Sequence, residues 1–493
     1  MSELLDIIKD KSLTYEQRVL TLARYAEDQL NVLAIDAETQ NLRDEGIICD
    51  LYEGHAPYRP RYIVPDYDKF VKNGSKFLEL EPPENLYDLL NKLIILYRHV
   101  PSISSFPVYI GNIDYLIDPF ITNEEDDYKF IKYFMQNIDR TITDSFCHAN
   151  IGPKETVAGK LILRAQRELN TSIPNITIKY DEDVTSKELL YDSLKTTMVT
   201  AKPSFANDKM FRKEFNGDYA IASCYNGLKI GGGNYTLVRI VLKKLAEKTE
   251  NYNEFINELL PNAVNNTIKY MDERIRFLVE ETSFFKSSFL VNEGLIDISN
   301  FTAMFGMVGL AETVNRFSKG RFGIDKEADD MGVEIIEKIY KMVNEHKNEY
   351  CKAFDGKFLL HAQVGIDDDK GVSPGCRIPI GEEPDMASHL NQIARFHKYF
   401  PSGIGDIFPF EETYKNNIEA LANVVNGAID TGVRYLSIYS SNSDVIRISG
   451  YLVKKSEIEK LRNGDPVLRD TVVLGRGAVD NQKVLERKVR GNV

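Results

Sequence analysis

Short runs of strand-forming residues alternate with helical segments along most of this 493-residue chain. The clearest strand signals lie at residues 108–114, 174–180, 358–364 and 433–439, with helical patterns at 157–168, 332–350 and 386–399. Because strands that are joined through helices run parallel, this order predicts an α/β fold, either a closed barrel or a doubly wound sheet. Functional groups are expected at the carboxyl ends of such strands.

The length of the chain exceeds that of one ordinary compact domain, which suits either two or three domains or one large barrel. Residues 1–48 show helical patterns, with a capping-box spacing at Thr14 and Gln17. We therefore expect a helical N-terminal preface over 1–48, an α/β barrel body over 49–430 and a C-terminal segment over 431–493.

Two stretches of the body bear on its topology. Residues 57–65 contain three prolines, which remove amide donors and restrict the residues before them, so we expect a surface loop there. The alternative is that its tyrosines and arginines line a pocket. A long helical pattern covers 236–316 with breaks at glycines such as Gly294 and Gly306. Its small and apolar part, 301–312, is expected to be a helix that packs closely on the barrel.

The charge balance and the N-terminus exclude several classes of protein. The net charge is −13, and no block of Lys and Arg stands out, so a surface for nucleic acid has no support. No uninterrupted apolar run of about 18 residues could span a bilayer, so we expect no membrane association. The first residues are acidic and amphipathic, which is unlike a secretory or transit peptide, and we expect a cytoplasmic protein.

Five cysteines are scattered without a Cys-x-x-Cys pair, which argues against a disulfide scaffold, a zinc ribbon and an iron–sulfur cluster. Cys49, Cys147 and Cys351 are expected to be buried structural residues. Cys224 differs, because it lies in the glycine-rich segment 222–233. That segment is either a loop that presents one thiol or, over 227–233, a phosphate cradle ahead of a helix, although it matches no common phosphate-binding fingerprint.

The pentapeptide Arg447-Ile448-Ser449-Gly450-Tyr451 follows the strand signal at 433–439. A radical on a glycine Cα is stabilised by the flanking amide nitrogen and carbonyl, and no side chain prevents planarity. The alternative is that Gly450 supplies a positive φ at a turn after a strand.

Taken together, these segments resemble the glycyl radical enzyme family, and most closely its small YjjI branch. The matching motifs are Gly-Asn-Ile-Asp at 111–114, Pro-Asn-Ile-Thr-Ile at 174–178, Pro-Ser-Phe-Ala-Asn-Asp at 203–208, the Cys224 loop, Val-Gly-Leu-Ala-Glu at 308–312, Pro-Ile-Gly-Glu-Glu-Pro at 379–384 and the Gly450 pentapeptide. The resemblance implies a ten-stranded α/β barrel in which the Cys224 and Gly450 loops meet. It also implies that Gly450 stores a radical, that Cys224 relays it as a thiyl, and that Arg447, Ser449 and Tyr451 support the radical loop.

In this family a separate radical S-adenosylmethionine activase with an iron–sulfur cluster installs the radical after translation. The resemblance therefore implies an oxygen-sensitive enzyme of anaerobic metabolism that needs no bound cofactor of its own and acts on a small organic substrate. Three departures leave the reaction open. Asn226 stands where dehydratases have a glutamate base, Ser223 stands where acyl-transferring members have a second cysteine, and no cysteine follows Cys376 to form the metal site of ribonucleotide reductases.

Other candidate catalytic or pocket residues are Cys376, Glu382, Glu383, His148, His361 and Asn226. Each has a structural alternative: a core histidine, a buried thiol or a solvated loop acid. Asp367, Asp368 and Asp369 are interpreted as a surface charge run, with metal binding as the alternative. Hydrogen transfer between Cys224 Sγ and Gly450 Cα requires an approach of about 3–4 Å in a closed cavity.

Two rival functions remain. The first is a non-radical α/β-barrel enzyme that binds a phosphorylated ligand at 227–233, and the second is a non-catalytic radical carrier or scaffold. The sequence leaves open whether the chain forms a homodimer.

Overall fold

A computed structural model describes residues 2–51, 53–363, 365–366, 369–448, 450–481 and 483–491. The strands in these residues are β1 Ile48–Cys49, β2 Tyr62–Val64, β3 Tyr109–Asn112, β4 His148–Ile151, β5 Asn175–Tyr180, β6 Ser204–Asn207, β7 Tyr219–Ala222, β8 Asn226–Lys229, β9 Gly232–Val241, β10 Phe301–Val308, β11 Leu359–Ala362, β12 Asp406–Phe410, β13 Tyr435–Ser440, β14 Val445–Arg447 and β15 Leu452–Lys454.

The helices are α1 Ser2–Lys9, α2 Tyr15–Asp28, α3 Ala37–Asp44, α4 Tyr67–Asn73, α5 Leu86–Arg98, α6 Ile113–Ile117, α7 Glu124–Thr141, α8 Val157–Leu169, α9 Lys187–Thr200, α10 Asp208–Phe215, α11 Leu242–Ala246, α12 Tyr252–Glu254, α13 Leu260–Arg276, α14 Phe284–Ser287, α15 Phe289–Asn292, α16 Leu310–Phe317, α17 Lys326–Glu345, α18 Met386–His397, α19 Ile418–Asp430, α20 Lys455–Arg462 and α21 Asp470–Asn481. None of the described helices combines the length and the apolar character needed to cross a bilayer.

Two sets of five strands form a barrel. In the first set β3, β4, β5 and β6 are parallel neighbours and β2 lies beside β3. In the second set β9, β10 and β11 are parallel, β12 and β13 are parallel, and a parallel bridge between His361 and Gly403 joins the two groups. The sets meet antiparallel at both seams, β2 with β9 and β6 with β13. The predicted ten-stranded α/β barrel is confirmed.

The helical preface is also confirmed over its three helices, α1 to α3. Helix α2 begins at the predicted capping box, in which the Thr14 hydroxyl accepts from the Gln17 amide and the Gln17 side chain accepts from the Thr14 amide. The next strand, β1, pairs antiparallel with β9 of the barrel. The preface therefore leads directly into the sheet.

The loop expected at 57–65 is wrong, because β2 lies inside it. Strand β2 is only three residues long and pairs with β9 through register partners such as Tyr62 and Asn234. The flanking Pro60 and Pro65 stay outside the ladder, so they do not interrupt it. Arg61, which we placed on a surface loop, is 8% exposed.

The helical expectation for 236–316 is wrong at two barrel strands, β9 and β10. Both strands are buried along their whole length, so their sequences lack the alternation of apolar and polar residues that marks a half-exposed strand. Gly306 permits the close approach of the two strands, because a Cβ there would lie 2.8 Å from the Arg239 Cβ. Strand β12 was also missed, and it contains Pro409.

The aspartate run at 367–369 is partly reassigned. Asp367 and Asp368 lie outside the described residues. Asp369 is buried and forms a two-bond ion pair with Arg239 at 2.7 and 2.8 Å, so the surface interpretation is wrong for this residue. The domain boundaries at 48/49 and 430/431 stay predictions, and β13, which follows the second boundary, pairs within the barrel.

Candidate active site

Two hairpins carry the residues of interest. The Cys hairpin consists of β7, the turn with Cys224, and β8, whose strands pair antiparallel from Tyr219–Lys229 to Ala222–Asn226. The Gly hairpin consists of β14, the turn with Gly450, and β15, whose strands pair antiparallel from Val445–Lys454 to Arg447–Leu452. Ser449, an expected support of the radical loop, lies outside the described residues.

The Cys hairpin is fixed to the barrel by its backbone. The Ser223 amide donates to the Val108 carbonyl at 3.0 Å, and the Gly227 amide donates to the Ser402 carbonyl at 2.8 Å. Asn150, at the carboxyl end of β4, bonds both backbone groups of Ile221, at 2.8 and 2.9 Å. These bonds satisfy buried polar groups and hold the tip in one place.

The tip of the Cys hairpin presents a buried thiol. Ser223 has a φ of +58°, which turns the chain sharply before Cys224. The Tyr225 hydroxyl donates to the Ala362 carbonyl at 2.6 Å on the other side of the tip. Burial raises the pKa of the Cys224 thiol to about 12. The sulfur therefore keeps its hydrogen at neutral pH, unlike the thiolate of a nucleophilic cysteine.

The Gly hairpin is held by side chains. The Asn175 amide donates to the Gly450 carbonyl at 2.9 Å, and the buried Arg447 guanidinium donates to the Ala201 carbonyl at 2.8 Å and to Asn175 at 3.3 Å. Arg487 from the C-terminal segment donates to the Arg447 carbonyl and, at 2.6 Å, to the Ile448 carbonyl. Burial lowers the pKa of Arg447 to about 10.

Two further contacts complete the support of the Gly hairpin. The Ser145 hydroxyl bonds the amide and the carbonyl of Leu452, each at 3.0 Å. The ring of Tyr451 packs edge-on against Phe146 with centroids 5.1 Å apart. Helix α21 covers the turn, and Gly475 makes this possible because a Cβ there would lie 2.8 Å from Ile448 and 3.1 Å from Tyr451.

The tips of the two hairpins are in direct contact. A Cβ built on Gly450 would lie 2.1 Å from Cys224 Cβ and 2.8 Å from Cys224 Sγ. The space that a side chain would need at Gly450 is occupied by the cysteine. The arrangement places a protonated thiol against the Cα of a glycine, in a region where both residues are buried.

Two predicted histidines lie near the tips, but their charge state limits their chemistry. His148 lies next to the backbone of Phe146 and Ser223, and His361 packs beside Tyr225 with ring centroids 5.5 Å apart. Burial lowers the pKa of each imidazole to about 3, so both are neutral at pH 7. Neither can serve there as a cationic proton donor.

Asn226 is also buried, and its Oδ1 has no hydrogen-bond partner among the described residues.

The remaining candidates are two glutamates and a cysteine. Glu383 and Glu382 line a cavity of about 480 Å³ that is bounded by Arg377 and Arg487. Glu382 pairs with the exposed Arg321 at 2.8 Å, and the buried Glu383 accepts from the Gly381 amide. Cys376 is packed in the apolar core, where burial raises the pKa of its thiol. The structure therefore does not bring these three residues into the contact between the two tips.

The glycine triplet is a packing feature. The chain after it continues as strand β9, so the 227–233 segment does not lead into a helix, as a phosphate cradle would. A Cβ on Gly232 would lie 2.2 Å from the Asn300 carbonyl oxygen, and one on Gly233 would lie 2.1 Å from that of Tyr62. Neighbouring backbone thus fills the space that a phosphate would need, and the structural basis for the phosphorylated-ligand alternative is lost.

Sequence reasoning missed the residues that hold the tips. Asn150 and Asn175 were noticed only as parts of motifs, although asparagines at the ends of buried strands are a usable signal for backbone clamps. Arg487 and Ser145 carry no local signal, because their partners are far away in the sequence. Among the described residues no group of three or more His, Cys, Asp or Glu side chains is arranged to hold a metal ion.

A barrel that encloses two hairpins, one with a thiol and one with a glycine at its tip, defines the class of glycyl radical enzymes. The chain belongs to the YjjI-like glycyl radical enzyme family, whose model matches residues 13–490. It is 45% identical to an uncharacterized protein of Haemophilus influenzae over 99% of this chain and 98% of the relative. It is 42% identical to the uncharacterized protein YjjI of Escherichia coli over 98% of this chain and 95% of that protein.

Solved structures share the fold. The B12-independent glycerol dehydratase from Clostridium butyricum superposes with a TM-score of 0.72 at 10% identity, over 99% of this chain and 88% of that one. An anaerobic ribonucleotide reductase from Thermotoga maritima superposes with a TM-score of 0.66 at 14% identity, over 86% of each chain. At these identities the comparison supports the barrel fold alone. The chemistry of this chain has to be argued from its own residues.

Proposed function

We propose that this protein is a radical enzyme in which Gly450 stores an unpaired electron and Cys224 passes it to a small organic substrate. The contact between Gly450 and Cys224 carries the proposal. These residues are 226 positions apart (450 − 224), and neither a structural thiol nor a turn glycine would require the other as a neighbour.

The transfer consists of balanced hydrogen-atom steps. The Gly450 radical takes the hydrogen atom of the Cys224 S–H group, which restores the Cα–H bond and leaves a thiyl. The thiyl then takes a hydrogen atom from a substrate C–H bond, which restores S–H and leaves a carbon radical on the substrate. The high pKa of Cys224 supports this role, because a thiolate has no hydrogen atom to give. After conversion, the product radical recovers a hydrogen atom by the reverse steps.

The first radical must come from outside the chain. We propose that a separate radical S-adenosylmethionine activase removes one hydrogen atom from Gly450. The hydrogen atom would pass to the radical fragment that is released when one electron from the activase's iron–sulfur cluster cleaves S-adenosylmethionine. The closed contact at the tips would protect the stored radical from water and oxygen. Cytoplasmic location, anaerobic operation and sensitivity to oxygen are parts of the same proposal.

An isotope experiment tests the radical assignment. Protein grown on [2-¹³C]glycine and activated anaerobically should give a doublet electron paramagnetic resonance signal with added ¹³C splitting. Gly450→Ala should give no signal. A signal that lacks ¹³C splitting, or one that persists in Gly450→Ala, contradicts the assignment.

Cys224→Ser separates storage from relay. This variant should keep the glycyl signal and lose the consumption of any substrate that the wild type consumes. Retained consumption would assign the relay to another group.

A further inference from the structure

The carbonyl of Gly450 has a hydrogen-bond donor of its own. The side-chain amide of Asn175 donates to it at 2.9 Å, and both residues are buried. Two other side chains from outside the Gly hairpin, those of Ser145 and Arg487, hold it by bonding neighbouring residues instead. Of these three side chains, Asn175 therefore is the one that contacts the residue expected to carry the radical.

The barrel fixes the position of this donor. Asn175 is the first residue of β5, and its own backbone amide donates to the Cys147 carbonyl at 2.8 Å. The residue is 0% exposed. The bond to Gly450 is thus offered by a rigid strand of the barrel, so little reorganisation is needed when charge develops on the carbonyl.

Arg447 strengthens the same donor from its other end. Its guanidinium donates to Asn175 Oδ1 at 3.3 Å and to the Ala201 carbonyl at 2.8 Å. Because a guanidinium only donates and a backbone carbonyl only accepts, the orientation of the Asn175 amide between Arg447 and Gly450 is determined. Hydrogen bonds in such a chain polarise one another, so a positive charge at Arg447 makes Asn175 a stronger donor.

The charge of Arg447 is not neutralised locally. Arg447 is 0% exposed, and it forms no ion pair with any of the described carboxylates. Burial lowers its pKa to about 10, which still leaves the guanidinium charged at pH 7. The electrostatic effect of this cation is therefore available to the groups that it contacts.

A glycyl radical has a specific use for this chain of hydrogen bonds. Its unpaired electron is shared between the Cα, the adjacent nitrogen and the carbonyl, and one contributing form places negative charge on the carbonyl oxygen. A donor at that oxygen stabilises this form. Because the bond is made to glycine and not to sulfur, it favours the state with the spin on Gly450 over the state with a thiyl on Cys224.

We infer that Asn175, assisted by Arg447, stabilises the stored radical by withdrawing electron density through the Gly450 carbonyl. Asn175 contacts the radical residue itself, whereas Arg447 is a positioning residue that acts through Asn175. The inference rests on the proposed function, because it requires that Gly450 carries the radical. The alternative is that Asn175 only holds the hairpin in place, which predicts no electronic effect.

An isotope label tests the hydrogen bond in the activated wild-type protein. With ¹⁵N in the side-chain amides of asparagine, electron–nuclear double resonance should detect a ¹⁵N coupling to the glycyl radical. The coupling should be lost in Asn175→Leu, which has a similar size and no donor. A glycyl signal without ¹⁵N coupling in the wild type, or a coupling that persists in Asn175→Leu, overturns the inference.

The g values of the radical measure the electronic effect. Spin on a carbonyl oxygen raises the largest g value, and a hydrogen bond to that oxygen reduces this contribution, so Asn175→Leu should have a larger value than the wild type at high field. Ser145→Ala is the control, since it frees Leu452 of the same hairpin and leaves the Gly450 carbonyl bonded. An unchanged g value in Asn175→Leu, or an equal shift in both variants, overturns the inference.

Arg447→Lys tests the assisting charge. Lysine keeps the charge but lacks the planar fork of donors, so the largest g value should shift in the same direction as in Asn175→Leu and by less. A value equal to that of the wild type removes Arg447 from the inference. No glycyl signal in the activated wild type would remove the proposed function itself, whereas a normal signal without ¹⁵N coupling would remove this inference alone.

Discussion

The two hairpins that meet in the barrel are attached to it in different ways. The Cys hairpin has four paired positions and is joined to barrel segments by backbone hydrogen bonds, such as those to Val108 and Ser402. The Gly hairpin has three paired positions and is held by hydrogen bonds that involve side chains, namely those of Ser145, Asn175, Arg447 and Arg487.

This difference indicates which hairpin is able to move. Backbone bonds are part of the fold, so breaking them disturbs the barrel, whereas side-chain bonds can break while the barrel stays intact. In the proposed function, activation requires that Gly450 reach another protein, and the Cys hairpin has no such requirement. The weaker attachment therefore lies on the hairpin that would have to leave.

The largest expected effect is on stability, and it should differ between Asn150, which holds the Cys hairpin, and Asn175, which holds the Gly hairpin. Asn150→Ala leaves the amide and the carbonyl of Ile221 unpaired in the interior, and we expect a loss of about 2–5 kcal/mol in the free energy of unfolding. Asn175→Ala is the matched control, and its cost should be smaller because the Gly hairpin can open and hydrate the freed groups. Chemical denaturation measures both values, and an equal or larger loss for Asn175→Ala contradicts the comparison.

A smaller effect is expected from Arg487→Ala. The change frees the carbonyls of Arg447 and Ile448, so amides of the Gly hairpin should exchange with solvent about tenfold faster, which corresponds to about 1.4 kcal/mol. Amides of the Cys hairpin should not change. Lys488→Ala is the control, since Lys488 lies one residue further along and bonds the Glu383 carbonyl instead. Faster exchange in both hairpins would show that they open together.

The smallest effect concerns alkaline pH. The pKa of Cys224 is raised by burial from 9.0 to about 12, so above pH 9 the unfolded chain loses this proton while the native protein keeps it. Native stability therefore falls as pH rises. Relative to Cys224→Ser, the wild type should lose less than about 1.4 kcal/mol between pH 9 and pH 10, the value for one full proton per pH unit. Identical pH dependence in the two proteins would mean that the thiol at the tip is hydrated.

The sequence was sufficient where local signals suffice. Strand–helix alternation predicted an α/β fold and a capping box predicted the preface, whereas the ten-stranded barrel and the two tips were implied by the family resemblance that short motifs carry. The failures have physical causes. Strands β9 and β10 are buried on both faces and lack alternation, and β2 has three residues between prolines.

The supports of the site depend on tertiary contacts. Ser145 is separated from Leu452 by 307 positions, and Asn175 is separated from Gly450 by 275, so no sequence window contains either pair. The same limit applies to Asp369, whose partner Arg239 lies on a different strand. A pattern can predict that a residue is buried, but it does not identify the residue that it meets.

The contact at Gly450 also has a stereochemical consequence. The direction in which a Cβ would project from Gly450 is that of the pro-S hydrogen, and this direction leads to Cys224. The pro-R hydrogen points away from the sulfur. The two hydrogens of an achiral residue are thus distinguished by the protein, and in the proposed transfer each hydrogen atom from the thiol returns to the pro-S position. A deuterium atom that is delivered from the thiol would therefore be found at the pro-S position of Gly450, which would make its Cα a chiral centre.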